Sequence, residues 1–213
     1  MVSMSRDTSE KRIFQLFSRI LGYPQQDLAE ATRECEGLIR EETPEAAEFL
    51  AEFRAIVEDT PLGRMEEIYT GAFDLEANWQ LYIGYHLFGE SYARSIFLLE
   101  LKERFRAGGF PPPEAELPDH AAVLLAFLGV CDDRQQVDEL VDEALLPTLN
   151  RLTGEGEDVI EEELEEGEEE SEEIQRQRSS REVYDGVLRA LRMVLLQQQA
   201  RLALQGSTSV ERE

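Results

Sequence analysis

Apolar positions recur every three or four residues along almost the whole chain, and no stretch sustains the apolar/polar alternation of a half-buried strand. The pattern predicts an all-α protein. Ile13, Phe14, Leu16, Phe17, Ile20 and Leu21 mark one face of a first helix, which Gly22-Tyr23-Pro24 should end, because glycine accepts the left-handed exit and proline cannot continue a helix. A second helix is expected from about Gln25 to Arg40. Thr43-Pro44 and Thr60-Pro61 read as the starts of a third and a fourth, threonine as cap and proline in the first turn. Ala46, Ala47, Phe49, Leu50, Phe53, Ile56 and Val57 form the inner stripe of the third, and the fourth reaches about Phe73.

From Asp74 to Gly89 the periodicity loosens and Trp79, Tyr82, Tyr85 and Phe88 crowd together. They fit either core filling or an apolar groove that accepts an amphipathic peptide helix. A long helix over Glu90 to Ala107 should follow, stopped by the Gly108 to Pro113 run. Pro118 then suits the first position of a helix carrying Val123, Leu124, Leu125, Phe127 and Leu128, and Asp133 with Gln136 resembles a capping box for a helix to about Leu152. A last amphipathic helix is expected from about Ser180 to Gln205.

Between these last two helices, Glu155 to Glu173 holds 13 acidic and no basic residues. Such a stretch buries too little apolar surface to offset its ordering entropy, and its charges repel. The expected architecture is a single-domain bundle of about eight helices with an acidic disordered loop before the last. Its parts are a flexible N-terminus (1–9), a helical core (10–153), an acidic mobile loop (154–175), a C-terminal helix packing on the core (176–205) and a frayed tail (206–213).

Charge narrows the partners. A formal net charge of -25 excludes a general binder of phosphate backbone, which needs clustered lysine and arginine. No apolar run of membrane-spanning length is present, and MVSMSRDTSEKR lacks the apolar stretch of a signal peptide, so a cytoplasmic protein without direct membrane insertion is expected. Cys35 and Cys131 stand far apart and outside any metal-ligand spacing, as buried small hydrophobes would.

The chain has no Walker A, GxGxxG, HExxH, GxSxG or EF-hand pattern, which argues against the common phosphate, metal and nucleophile chemistries and for no cofactor of its own. Asp119-His120 invites a catalytic reading, or that of a small metal- or nucleotide-dependent enzyme. Adjacent residues in a helical first turn do not face each other, however, and Asp119 after Pro118 fits the positive end of a helix dipole. Helix-start physics is the better account of Pro118 and Asp119. It leaves His120 over, and a histidine at a helix N-terminus should be neutral. His86, Gly89, Glu90 and Ser91 fit a plain helix start and a functional role equally well.

Taken together, LFSRILGYP (16–24), YTGAFD (69–74), HLFGES (86–91), GGF (108–110) and ELPDHAAVLLAFLG (116–129) resemble the nitrate reductase branch, NarJ, of the TorD/DmsD family of molybdoenzyme assembly chaperones. The order and spacing match over roughly Phe14 to Leu152. The resemblance implies an all-helical protein without enzymatic activity that binds the apo catalytic (alpha) subunit of a respiratory nitrate reductase, through that subunit's N-terminal, often twin-arginine segment. It further implies that the chaperone keeps the subunit ready for molybdenum cofactor insertion and delays membrane attachment or export. A related client, a dimethyl sulfoxide, selenate or ethylbenzene-type oxidoreductase, is the alternative within the family.

Carried over by position, the family's motif residues fall on Tyr69, Phe73, His86, Gly89, Glu90, Pro118, Asp119 and His120. The resemblance places Asp119 and His120 at the rim of a peptide site, with Asp74 or Glu90 pairing a client arginine. One departure is Tyr85, where relatives can carry an acid before the histidine.

Overall fold

The computed structural model describes residues 2–75, 77–111, 114–155 and 172–210. Helices α1 (Val2–Ile20), α2 (Leu28–Ile39), α3 (Pro44–Asp59) and α4 (Leu62–Phe73) lead through a short 3-10 turn at Ala77–Trp79 to α5 (Ile83–Phe88) and α6 (Tyr92–Ala107). Next come α7 (Ala121–Leu128), α8 (Arg134–Leu140), a π turn (Val141–Leu145), α9 (Leu146–Leu152) and α10 (Glu172–Val210). The fold is all-α and single-domain, as the periodicity predicts. Residues 156–171, most of the expected acidic loop, lie outside the described residues, as do 211–213 of the tail.

The differences in detail have local causes. Residues 2–9, expected as a flexible arm, continue α1 toward its start, and they hold no glycine or proline to interrupt it. The helix expected from Asp133 to Leu152 is one rod widened in its middle. Pro147 has no N–H for the Glu143 carbonyl and its ring crowds that oxygen, so the turn just before it opens into the π form. Asp133 caps the start of α8 as predicted, accepting from the Gln136 N–H at 3.2 Å. Thr43 occupies the cap position of α3, but its hydroxyl donates back to the Ile39 carbonyl (3.2 Å). Pro61 is itself the cap residue of α4.

Two packing units share α1. On one side α1 lies against α7, where Gln15 Nε2 donates to the Gly129 carbonyl (2.9 Å) and Ser18 Oγ to the Ala122 carbonyl (2.7 Å). A Cβ on Gly129 would come within 2.6 Å of the Gln15 side chain, so the close approach needs glycine. On the other side α1 packs on α2, α2 on α3, and α3 and α4 on α10. Tyr184 of α10 inserts its fully buried ring among Phe53 (5.1 Å between centroids), Tyr69 (5.8 Å) and Phe73 (4.9 Å). This aromatic knot brings the distant C-terminal helix onto the core.

Helix α6 is covered least. It buries Leu101 and Phe105, the latter against Phe127 of α7 (4.8 Å), while Tyr92 is 80% and Leu99 58% exposed.

The Tyr184 hydroxyl is buried without a hydrogen-bond partner among the described residues. Tyr184→Phe should therefore fold with unchanged or slightly raised stability, whereas Tyr184→Ala should lose about 3–5 kcal/mol in denaturant unfolding. A cost of more than about 1 kcal/mol for Tyr184→Phe would mean the hydroxyl is satisfied in solution.

Candidate functional site

Just before α5 and just before α7 the chain meets itself in an isolated two-residue pairing. Ile83 N–H donates to the Asp119 carbonyl (2.9 Å) and Ala121 N–H to the Leu81 carbonyl (2.8 Å), an antiparallel bridge centred on Tyr82 and His120. This pairing overturns the expected helix start at Pro118. Pro118 and Asp119 form a turn closed by the His120 N–H on the Leu117 carbonyl (3.1 Å) and His120 is held in the bridge, so α7 begins at Ala121 and His120 becomes its cap, with Nδ1 accepting from the Ala122 N–H at 3.2 Å. Asp119 consequently does not meet the helix dipole. It is fully buried, with Oδ2 accepting from Arg94 Nε and Nη2, both at 3.3 Å.

An accepting Nδ1 assigns the proton of neutral His120 to Nε2, which lies 3.5 Å from the Tyr69 hydroxyl. That hydroxyl itself donates to the Leu21 carbonyl (3.1 Å). Burial pushes the His120 pKa down, opposed by nearby Glu116. The ring stands edge-on to Tyr82 (5.3 Å), and the Tyr82 hydroxyl donates to Glu116 Oε1 (3.0 Å), which also takes the Leu117 N–H (2.9 Å). Burial and then Glu116 push the Tyr82 phenol up to about 12. Asp74 stands exposed beside this group; partial burial, and then Glu116, raise its carboxyl, against a hydrogen bond from Thr70.

The structure thus gathers Tyr69, Asp74, Pro118, Asp119 and His120, with Phe73 behind Tyr69 in the aromatic knot (5.1 Å). It adds Tyr82, Glu116 and Arg94, which sequence reasoning did not single out as site residues, and Tyr23, edge-on to Tyr69 at 5.7 Å. Glu116 had a signal in the quoted ELPDH; Arg94, in the first turn of α6, had none. Tyr85 lies against Arg94 (6.0 Å).

His86 and Glu90 are not part of the gathering. His86 is buried, donates from Nε2 to the Gln80 carbonyl (2.6 Å), and offers its own carbonyl to Arg151 of α9. Burial lowers its pKa. These are the ties of a fold-holding histidine. Glu90 is exposed just ahead of α6.

Among the described residues no group of His, Cys, Asp or Glu is arranged to hold a metal ion, and no helix is long and apolar enough to cross a membrane. The exposed edge of the site is apolar and acidic together, with Tyr23, Leu75 and Leu117 beside Asp74 and Glu116. Beside Tyr23 and Leu75, a groove of about 590 Å³ continues along α4 to the start of α10.

Fold and site define an all-α, single-domain protein that presents an acid-flanked aromatic surface around a capping histidine. The family described as nitrate reductase delta subunit matches residues 39–155, which include the whole bridge and the residues from Tyr69 to His120, and the chain belongs to that family. It is also 29% identical over 128 residues, 59% of this chain and 70% of the relative, to a protein of Bacillus subtilis (strain 168) named as a probable nitrate reductase molybdenum cofactor assembly chaperone NarJ.

Both imidazoles should titrate below the ordinary 6.5. A histidine buried neutral binds fewer protons folded than unfolded, so its stability contribution is full above pH 6.5 and lost as pH falls through the unfolded value toward the folded one. Unfolding free energy should fall on going from pH 7 to pH 5.5, and His120→Gln should flatten that slope. An unchanged slope would place the imidazole in water.

Close approach gives a second expectation. A Cβ on Gly84 would meet Asp119 Oδ2 at 2.8 Å, Phe97 at 3.1 Å and Arg94 at 3.2 Å. Gly84→Ala should cost about 1–3 kcal/mol and shift the His120 imidazole resonances, whereas Gly37→Ala, with nothing within 4 Å, should do neither.

Proposed function

We propose that this protein is a client-specific assembly chaperone for a nitrate reductase. It binds the apo catalytic subunit through that subunit's N-terminal segment, keeps it open to molybdenum cofactor insertion, and delays membrane attachment or export until the cofactor is in place. It works in the cytoplasm and performs no chemistry itself. Family membership and the named relative support the client class.

The observation that carries the binding mode is the acidic edge of the Tyr69, Tyr82 and His120 cluster, where Glu116 accepts from the Tyr82 hydroxyl and exposed Asp74 follows the end of α4. Burial, and then Glu116, raise the proton affinity of Asp74, and an acidic edge of this kind gains from an incoming cation. The exposed Tyr23, Leu75 and Leu117 offer apolar surface for the rest of a segment that carries an arginine. Charge supplies steering and selectivity; the apolar contacts supply most of the affinity. His120 acts as a hydrogen-bonding cap that fixes the edge, since its Nδ1 is occupied by the Ala122 N–H and its ring is turned toward Tyr69.

Calorimetric titration with the N-terminal segment of a nitrate reductase catalytic subunit from the same organism tests the reading. Glu116→Gln keeps an acceptor for Tyr82 and removes the charge, and should weaken binding about tenfold, as should raising salt from 50 to about 500 mM. Glu90→Gln should leave affinity unchanged. Equal affinity in Glu116→Gln and wild type, at both salt levels, would remove the acidic edge from recognition.

A further inference from the structure

We propose that Arg94 is the positioning residue of this site: from α6 it anchors the Leu117 to His120 turn, and thereby sets His120 and, beside it, the Tyr82 and Glu116 edge where the client segment binds, without touching the client. The inference rests on the reading of the site as a client-binding surface, and deepens it.

The socket around Asp119 is the ground for it. A carboxylate that is 0% exposed must be compensated, because an isolated buried charge costs several kcal/mol. Asp119 Oδ1 has no hydrogen-bond partner, so the side-chain compensation falls on Oδ2, and there Arg94 supplies two nitrogens. Gly84 is the only residue type that leaves that oxygen its room. Burial raises the Asp119 pKa, and Arg94 and the backbone N–H groups of Gly84 and Asp119 act the other way.

Arg94 is also held from both sides, with its guanidinium 5.8 Å from the Tyr82 ring centre and 6.0 Å from that of Tyr85. One side chain therefore connects α6, the start of α5 and the turn before α7. Phe105 on Phe127 fastens the C-terminal half of α6; in its N-terminal half, with Tyr92 in solvent, Phe97 packs on Phe88 (5.6 Å) and Arg94 adds the polar tie to the turn before α7.

The consequences follow from what Asp119 does next when Arg94 is gone. Its carbonyl accepts from Ile83, and the residue after it caps α7. An uncompensated charge would draw the turn toward water, taking His120 away from Tyr69 and Tyr82 away from Glu116. Removing the charge as well should let the turn return, because an amide at position 119 can be buried and can bond an amide at position 94.

The chain has two histidines, so both imidazoles can be followed by proton NMR in the intact protein, alongside calorimetry with the client segment. Arg94→Gln should raise the His120 titration toward that of a free imidazole, leave His86 unmoved, and weaken segment binding by about tenfold or more. Adding Asp119→Asn should restore the His120 titration and bring affinity back to within about threefold of wild type. Arg94→Lys, which keeps the charge but not the two-nitrogen fork, should fall between and serves if Arg94→Gln does not fold.

An unmoved His120 titration in Arg94→Gln or Arg94→Lys overturns the proposal. So does a double variant as weak as the single with His120 restored, which would make Arg94 a direct client contact. A wild-type protein that does not bind the segment overturns the client reading instead, and the His120 titration still decides whether Arg94 sets the turn.

Discussion

The hydroxyl of Tyr69 is the point at which the core is joined to the site. Its ring belongs to the apolar knot with Phe73 and Tyr184, which brings α10 onto α3 and α4, while its oxygen reaches the Leu21 carbonyl at the end of α1 and faces the His120 imidazole. This buried phenol finds two polar partners, and they lie on different elements. Packing in the knot therefore sets the distance between α4, the turn after α1 and the cap of α7. The surface formed by Tyr23, Asp74, Tyr82 and Glu116 inherits that spacing.

Carboxylates divide the labour around this joint. Asp119 is sealed and bonded by Arg94; Asp74 is exposed, and Glu116 is half-buried where it accepts from Tyr82 and Leu117. The distinction is one of desolvation. A charge that has already lost its water and gained a partner has little left to offer a ligand, whereas an acidic edge that keeps its access to water gains when an arginine arrives. The same logic separates the histidines: His86, bonded to Gln80 and adjoining Arg151, serves the fold, and His120, capping α7 beside Tyr82, serves the edge of the site.

The helices were legible because helical periodicity is a local property, read from residues such as Phe14, Phe17 and Leu21 that repeat on one face. The motif positions Tyr69, Phe73, Asp74 and His120 were legible from the resemblance, and their meeting is what the fold adds. What could not be read was non-local. The two-residue pairing of Tyr82 with His120 is too short to leave an alternating pattern, yet it moved the start of α7 by three residues and turned Asp119 from a dipole partner into a buried anion. Arg94 was invisible for the same reason, since its partner lies 25 residues away on another element. Glu90 and His86 were drawn into the expected site by their motif; the structure puts one in solvent ahead of α6 and the other in the interior.

The central claim is that this surface holds an unloaded nitrate reductase catalytic subunit, and co-purification from cells tests it most directly. Tagged protein should bring down the catalytic subunit with its molybdenum content well below that of the mature enzyme, and cells lacking the protein should accumulate a cofactor-free enzyme. Recovery of no catalytic subunit, together with fully loaded nitrate reductase in the deletion strain, would contradict it.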